Sequence, residues 1–442
     1  MERKWYLIIF IILIMVIILL LPKTEKFDVL VIGAGGGGMT AAIEADKNGA
    51  DVVIMEKLPV IGGNTIKATD GINAWGTSQQ KKAGIKDNVD IYYEDMLKNS
   101  NGNSNNKIMK LFAYQSKTSL EWLEEKGAKF QVVEKMIGSS VPRTHRPLSD
   151  TAVGVEIVRT LENEIKKQKI DIRVETEVLE IERDKELFIV KIRDSKGKIT
   201  YVKSKKVIIA TGGFAGNERR IEKYRPDIKG LKTLSELSNL GDGLELGKSL
   251  GAKLVSLGDI RIYPTAIEKN NLPVSELVRL KGGILLNSNG QHFVDELYGP
   301  EEIADMILKL EEKRAYLILD ESVKEKLEEL GEEDIIKNMV KKNTLNELKI
   351  DLNLKSIEDA RIHFKKPPFY GVSVVPVVYQ VTGGLLVDER GRVFDYDNQP
   401  IEGLYSVGET VGGIYDTMPI TGSSLSDIIT LGRIAGEEAA KK

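Results

Sequence analysis

The chain has no cysteine. That removes disulfides, thiolate nucleophiles, Cys-ligated iron–sulfur clusters and c-type haem attachment. Histidine is nearly as scarce. His145, His292 and His363 are the whole set, and no two stand at metal-ligand spacing, which argues against a histidine-based metal site. No basic stretch alternates with aromatic residues, and the net charge is −3, which argues against nucleic acid as a partner. No internal repeat is present. The 442 residues suffice for about two to three domains with a substantial core.

What is there begins with Phe27 to Glu56. The apolar run Val29–Ile32 reads as a buried parallel strand. Gly33, Gly35 and Gly38 follow in the G-x-G-x-x-G spacing. The first glycine permits a tight turn, the second lets a pyrophosphate approach the backbone, and the third lets helix and strand pack closely. Ala41, Ala42 and Ala45 give the next helix a slim face, and Gly49 can end it in the left-handed conformation. Free amides and the dipole at that helix's N-terminus favour phosphate. Glu56 closes the second strand, where a carboxylate accepts bonds from ribose hydroxyls. Strand, glycines, helix, strand and acid in this order point to dinucleotide binding rather than a glycine-rich structural turn.

Trp5 to Leu21 is uncharged and almost wholly apolar. As a helix it would extend about 26 Å, at the short end of a membrane span. Arg3 and Lys4 precede it, Pro22 and Lys23 follow, and no small-x-small cleavage site is seen. An uncleaved signal anchor is favoured over a removed signal peptide or a buried core helix. The flanking charges favour a cytoplasmic N-terminus and an extracytoplasmic catalytic part, weakly, because Lys23 and Lys26 lie on the other flank.

Residues 89–128 read as helices broken by a polar linker at Asn99–Asn106. Arg143-Thr144-His145-Arg146-Pro147 is a dense polar cluster, in the plainest reading a solvated loop. Val153–Ile170 is an amphipathic helix. Strands are expected at Asp171–Val174, Val178–Arg183, Leu187–Arg193 and Thr200–Lys203, the last pair forming a hairpin closed at Lys196-Gly197. A separate buried strand at Val207 runs into Gly212-Gly213. From about Val255 to about Tyr370 the chain turns to charged helices, such as Pro300–Lys313 and Ser322–Lys342. The first style returns with a strand at Thr382–Val387, a strand-to-glycine junction at Leu404–Glu409, and a last helix, Leu425–Ala440, capped by Gly422-Ser423-Ser424. The expected division is an anchor at 5–21, a first dinucleotide-domain part at 25–255, an inserted cap or substrate domain at 256–370, and a second dinucleotide-domain part at 371–442.

Together these segments resemble the FAD-binding flavoproteins of the fumarate reductase/succinate dehydrogenase superfamily, and most of all their soluble flavocytochrome c and urocanate reductase branch. The matching stretches are Glu56–Asn64, Thr144–Pro147, Ala210–Phe214, Gly241–Gly243, Gly403–Glu409 and Gly432–Glu437. The resemblance implies an α/β fold: a Rossmann-like FAD domain with an inserted α+β cap, here preceded by a transmembrane helix. It implies non-covalent FAD, since Asn64 stands where covalent relatives carry a histidine. Gly33, Gly35, Gly37 and Gly38 would hold the pyrophosphate, Glu56 the ribose and Val178 the adenine. Asn64, Thr65, Asp70 and Gly71 would line the flavin side, with Lys57, Gly63, Gly212 and Asp242 completing the site. Glu409 would bond ribityl hydroxyls. Ser424 and Leu425, at the start of the last helix, would face the flavin's pyrimidine end.

In the resembling enzymes an arginine protonates one carbon of the double bond, and two histidines and a second arginine clamp the substrate carboxylates. This sequence keeps the relay pair, Glu276 and Arg279, in Ser275-Glu276-Leu277-Val278-Arg279. It has Pro300 at the protonating arginine, Tyr263 and Gln380 at the histidines, and Pro419 at the second arginine. Tyr263, Gln380 and Tyr415 are therefore the expected substrate residues, with Glu276, Arg279 and Tyr263 as catalytic candidates. The expected function is an FAD-dependent oxidoreductase acting on a CH–CH or C=C bond of a small, less charged substrate, with electrons from an external donor or carrier. The alternatives are a dehydrogenase of ketosteroid type and a non-catalytic, membrane-tethered flavin electron carrier.

Overall fold

The computed structural model describes residues 24–147, 151–330 and 333–441. The apolar stretch Trp5–Leu21 lies outside these residues; among the described ones no helix is long and apolar enough to cross a membrane.

Strand β1 (Lys26–Ile32), helix α1 (Gly36–Lys47) and strand β2 (Val52–Met55) form the opening β-α-β unit. The strands pair in parallel from Val29–Val52 to Ile32–Met55. Val29, Leu30 and Val31 are fully buried, as expected of a strand covered on both faces. Gly49, one residue past the helix cap, is left-handed at φ +85°. A small antiparallel sheet follows, made of β3 (Ile72–Asn73), β4 (Val132–Glu134) and β5 (Thr144–Arg146). Helix α2 (Asn106–Glu125) lies between β3 and β4 in sequence, helix α3 (Val153–Gln168) follows β5, and α3 packs on α1.

The polar cluster at 143–147 is not a solvated loop. Thr144 and His145 are fully buried in β5. Arg143 is enclosed between Asp87 (3.0 Å) and Asp95 (2.6 Å), its guanidinium 4.6 Å from the Tyr92 ring centre. Burial is tolerated because the charges are paired and hydrogen-bonded.

Strand β6 (Asp171–Arg173) extends the parallel sheet beyond β2. Strands β7 (Glu177–Asp184), β8 (Leu187–Arg193) and β9 (Ile199–Ile209) are antiparallel to one another. Thr200–Lys203 and the strand expected at Val207 are one continuous element. The outer half of β9 pairs with β8 and its inner half runs parallel to β1. Ser204, Lys205 and Lys206 break the apolar pattern without breaking the ladder.

Helix α4 (Asp242–Ser249) and strand β10 (Leu254–Val255) lead into a second sheet. Its members are β11 (Ile260–Ile267), β12 (Ile284–Leu286), β13 (Ala315–Asp320), β14 (Val340–Lys342) and β15 (Phe369–Val381), in the order β11-β15-β13-β12 with β14 also on β15. Helices α5 (Glu276–Leu280) and α6 (Pro300–Leu308) accompany it. The long charged helices expected here are shorter. The first ends at Leu308. The second divides into Glu321–Glu328, Glu333–Ile336 and then β14. Between them lies β13, buried along its whole length. A separate apolar core, including Leu277, Leu285, Leu317 and Val374, fills this part.

The chain then returns to the first sheet through β16 (Gly384–Leu385), β17 (Arg392–Phe394) and β18 (Pro400–Ser406). The strand expected at Thr382–Val387 is only two residues long, and pairs with β10. β18 runs parallel to β9, giving the order β17-β18-β9-β1-β2-β6. Helix α7 (Ser423–Ala439) closes the fold. Its N-cap is Gly422, at φ +92°, and no serine side chain caps it. The Ser423 hydroxyl instead meets Tyr92 Oη (3.0 Å) and Asn73 Nδ2 (3.1 Å). α7 lies against α1 across glycines: a Cβ on Gly432 would stand 2.8 Å from Gly37 O, and on Gly436 2.2 Å from Ala41 O.

Candidate active site

A cavity of about 840 Å³ runs from the C-terminal ends of β1 and β2 to the end of β15 and the start of α7. The glycine motif divides its labour here. Gly33 has φ +105°, and a Cβ on it would lie 2.4 Å from Ala210 O; a Cβ on Gly38 would lie 2.1 Å from Gly33 O. Packing alone requires those two. At Gly35 the nearest atom is Gly62 O at 4.0 Å, and Gly35 and Gly37 line the cavity. The middle of the motif is thus open to a ligand, with the first-turn amides of α1 beside it. Thr65 Oγ1 accepts the Gly36 amide at 3.1 Å.

Glu56 is buried at the end of β2. Its carboxylate accepts the Ala34 amide (2.8 Å) and the Leu58 amide (2.9 Å), which pins both turns leaving the parallel strands. Lys57 reaches Asp242 and the Ser238 carbonyl. Asn64 donates to Ser235 Oγ (2.7 Å) and Glu409 (3.3 Å), and Glu409 also accepts the Val381 amide (3.0 Å). Burial raises the Glu409 carboxyl above its usual range. Gly63, Asp70, Gly71, Val178, Gly212, Ser424 and Leu425 line the same cavity. Every cofactor-side residue expected from sequence except Gly38 lies on its wall.

The far end carries Tyr263, Tyr379, Gln380, Tyr415, Pro300 and Pro419. Tyr263 donates to the Val274 carbonyl at 2.9 Å, and its ring lies 5.5 Å from that of Tyr379. Tyr415 meets Asp427 Oδ2 at 2.5 Å, and burial pushes both groups well above their ordinary pKa. The Tyr379 hydroxyl has no hydrogen-bond partner among the described residues, and burial raises its pKa too. Glu276 and Arg279 do not line the cavity. Glu276 accepts the Ile137 amide (2.9 Å) and the Thr421 hydroxyl (3.1 Å); burial, then the nearby Asp70, raises its pKa to about 7. Arg279 donates to the Glu296 carbonyl at 2.8 Å. His145 bonds the Arg143 carbonyl and Thr77 Oγ1, both at 2.8 Å, and burial lowers its pKa to about 4, so it is neutral and structural.

Several residues at this end escaped the reading of the sequence. Asp427 is one. Ser424, Asp427, Ile428 and Leu431 all line the cavity, and their i, i+3, i+4, i+7 spacing places one acid on the ligand-facing stripe of α7. Thr421 and the Arg261–Glu301 pair (3.1 Å) are others. Glu301 also accepts the Met418 amide at 3.0 Å, tying α6 to the loop holding Pro419. No local pattern marks these, because their partners are distant in sequence.

A family model described as "FAD binding domain" matches residues 28–425. The NADH:fumarate oxidoreductase of Klebsiella pneumoniae (strain 342) is 34% identical over 95% of this chain and 48% of its own. A fumarate reductase (cytochrome) of Shewanella frigidimarina is 35% identical over 94% of this chain and 77% of its own. The chain thus spans about half the length of the first relative and about three quarters of the second. The open conformation of a flavocytochrome c3 fumarate reductase superposes with a TM-score of 0.83 at 29% identity, over 94% of this chain and 78% of that one. The cavity suits the cofactor these matches imply. It is long, it is open at Gly35 and at Gly408, where a Cβ would meet nothing within 4 Å, and it passes from a helix N-terminus and a buried acid to the mouth of the second sheet.

Proposed function

Since the chain belongs to the FAD-binding flavoprotein family that includes the fumarate reductases, and is an FAD-dependent oxidoreductase, we propose that it reduces the activated C=C bond of a small substrate carrying at most one carboxylate. One observation carries this reading. Among the described residues lining the cavity, the cations are Lys57 and Lys67, paired with Asp242 and Glu236. Pro300 and Pro419 stand where the resemblance places arginines, and neither has an ionisable group. A dicarboxylate leaving water would meet no paired cation there and would lie near Asp70 and Asp427 instead.

Bound FAD supplies hydride transfer. On this reading it is held non-covalently, with its pyrophosphate at Gly33–Gly38, its ribose at Glu56 and its adenine at Val178. Asn64, Thr65, Asp70, Gly71 and Glu409 face the flavin and its ribityl chain, and Ser424 and Leu425 face the pyrimidine end. Gln380 and Tyr379 offer neutral donors for a carbonyl or amide. Tyr263, whose hydroxyl is held by Val274 O, serves as wall. Electrons arrive from an external donor or carrier. Residues 5–21 tether the protein to a membrane, with the catalytic part outside the cytoplasm; protease access in intact spheroplasts tests that topology.

The functional test is stopped-flow mixing of dithionite-reduced protein with millimolar fumarate, crotonamide and 2-cyclohexenone. Reoxidation by a neutral acceptor and not by fumarate is expected. Rapid reoxidation by fumarate with formation of succinate would overturn the reading. Faster reduction of the oxidised protein by the saturated partners would assign it the dehydrogenase direction instead.

A further inference from the structure

The reduction just proposed needs a proton for the carbon that does not receive hydride, and the residues expected to give it are otherwise engaged. Pro300 cannot. The Tyr263 hydroxyl is committed to Val274 O, and that of Tyr415 to Asp427. Arg279 lies off the cavity wall, with Nη1 on the Glu296 carbonyl. The acid of the old relay, Glu276, is also off the wall. Yet one of its oxygens contacts a residue that is on it: Thr421, whose Oγ1 lies 3.1 Å from Glu276 Oε2. Thr421 is followed by Gly422 and α7, two residues after Pro419 in the chain.

We infer that Thr421 is the proton donor to substrate, and that Glu276 is the proton reservoir behind it. This rests on the reductase reading above. The hydroxyl hydrogen can rotate. With Glu276 protonated, the carboxylic acid donates to Thr421 Oγ1, and the Thr421 O–H points into the cavity. As hydride adds to one carbon of the C=C bond, the π pair takes the Thr421 proton at the other carbon. Thr421 Oγ1 takes the Glu276 proton in the same movement. The product gains two hydrogens, Glu276 is left as a carboxylate, and solvent restores its proton before the next turnover. The hydride's electron pair comes from the external donor by way of the cofactor.

The surroundings of Glu276 suit a reservoir. Asp70 opposes its ionisation; Arg279 on its own helix, the Ile137 amide and the Thr421 hydroxyl favour it; Tyr263 and Tyr379 stand close by. Enclosure dominates, so the acid keeps its proton to about pH 7. An ordinary exposed glutamate would already be ionised there.

The test uses the full-length, FAD-loaded protein and the variants Thr421→Val, Thr421→Ser and Glu276→Gln. Reoxidation of the reduced protein by crotonamide or 2-cyclohexenone should slow by about 10²-fold in Thr421→Val and Glu276→Gln. Thr421→Ser should keep most of the rate, and FAD content should not change. The wild-type rate should fall as pH rises through about 7, a dependence that Glu276→Gln abolishes. A second readout needs no substrate. The infrared carboxylic C=O band that Glu276→Gln removes should move in Thr421→Val and return in Thr421→Ser. A wild-type rate in Thr421→Val would overturn the inference. So would an unmoved band. If neither probe reoxidises the wild type, the reductase reading falls, and the band alone then decides whether Thr421 is coupled to Glu276.

Discussion

On the proposed reading Glu56 does two jobs that the sequence presents as one. Its position after β2 marks it as a ribose acceptor, but its carboxylate also receives the Ala34 and Leu58 amides. Glu56→Ala should therefore lower FAD occupancy and also destabilise the FAD-free protein, since each charge-assisted bond contributes about 1.5–3 kcal/mol. FAD content and thermal melting of the stripped protein check both halves; loss of occupancy with an unchanged melting temperature would remove the structural half. Glu276 and His145 give opposite pH signatures. The folded-state pKa of Glu276 is raised to about 7, so its contribution is full below the unfolded value near 4.5 and is lost as pH rises to about 7. That of His145 is lowered to about 4, so its contribution is full above about 6.5 and is lost as pH falls to about 4. Subtracting the Glu276→Gln stability profile from that of the wild type should leave a curve falling between about pH 4.5 and 7. A flat difference would contradict the buried, protonated acid.

The elements were legible where one local pattern sufficed. β1, the glycine turn, α1 and β2 followed from spacing alone, because the pattern that marks them lies within about 30 residues, although β9 and α7 pack on them from far along the chain. β13 was missed because its apolar run sits among charged residues, and only pairing with β12 and β15 makes it a strand. The two halves of β9 were separated for the converse reason: Lys205 and Lys206 look like a break, yet the ladder to β1 carries through them. The α1–α7 contact was invisible, since Gly432 and Gly436 acquire meaning only against Gly37 and Ala41. Gly436→Val should force these helices apart and cost about 1–3 kcal/mol, with weaker FAD retention because α1 carries the phosphate turn. Denaturant unfolding and FAD release rates measure this; wild-type values for both would show the contact to be slack.

At the scale of the molecule, the cofactor half of the site could be read from sequence and the substrate half only by subtraction. Motifs for a common cofactor repeat in order along the chain. The far end of the cavity is lined by Tyr379, Gln380, Thr421 and Asp427, on β15, on α7 and just before it, and no short pattern joins them. What the resemblance implies there is the loss of two arginines, at Pro300 and Pro419. The structure adds that Glu301, beside Pro300, reaches Arg261 and the Met418 amide beside Pro419.

The scarcity of cations along the cavity also bears on electrochemistry. Two-electron reduction of a flavin near neutral pH leaves net negative charge on the ring system. Positive side chains nearby make that reduction easier, and acids make it harder. With Asp70 and Glu409 on the wall and no unpaired lysine or arginine among the described lining residues, the helix dipole of α7 works against these acids. The midpoint potential of the bound FAD should therefore lie below that of the free cofactor, and should rise in Asp70→Asn. Equilibration with redox dyes under anaerobic conditions measures both values. A potential above that of free FAD would mean that the α7 dipole outweighs the acids. A low potential would restrict the physiological donor to strongly reducing carriers and make hydride delivery to a weakly activated double bond more favourable.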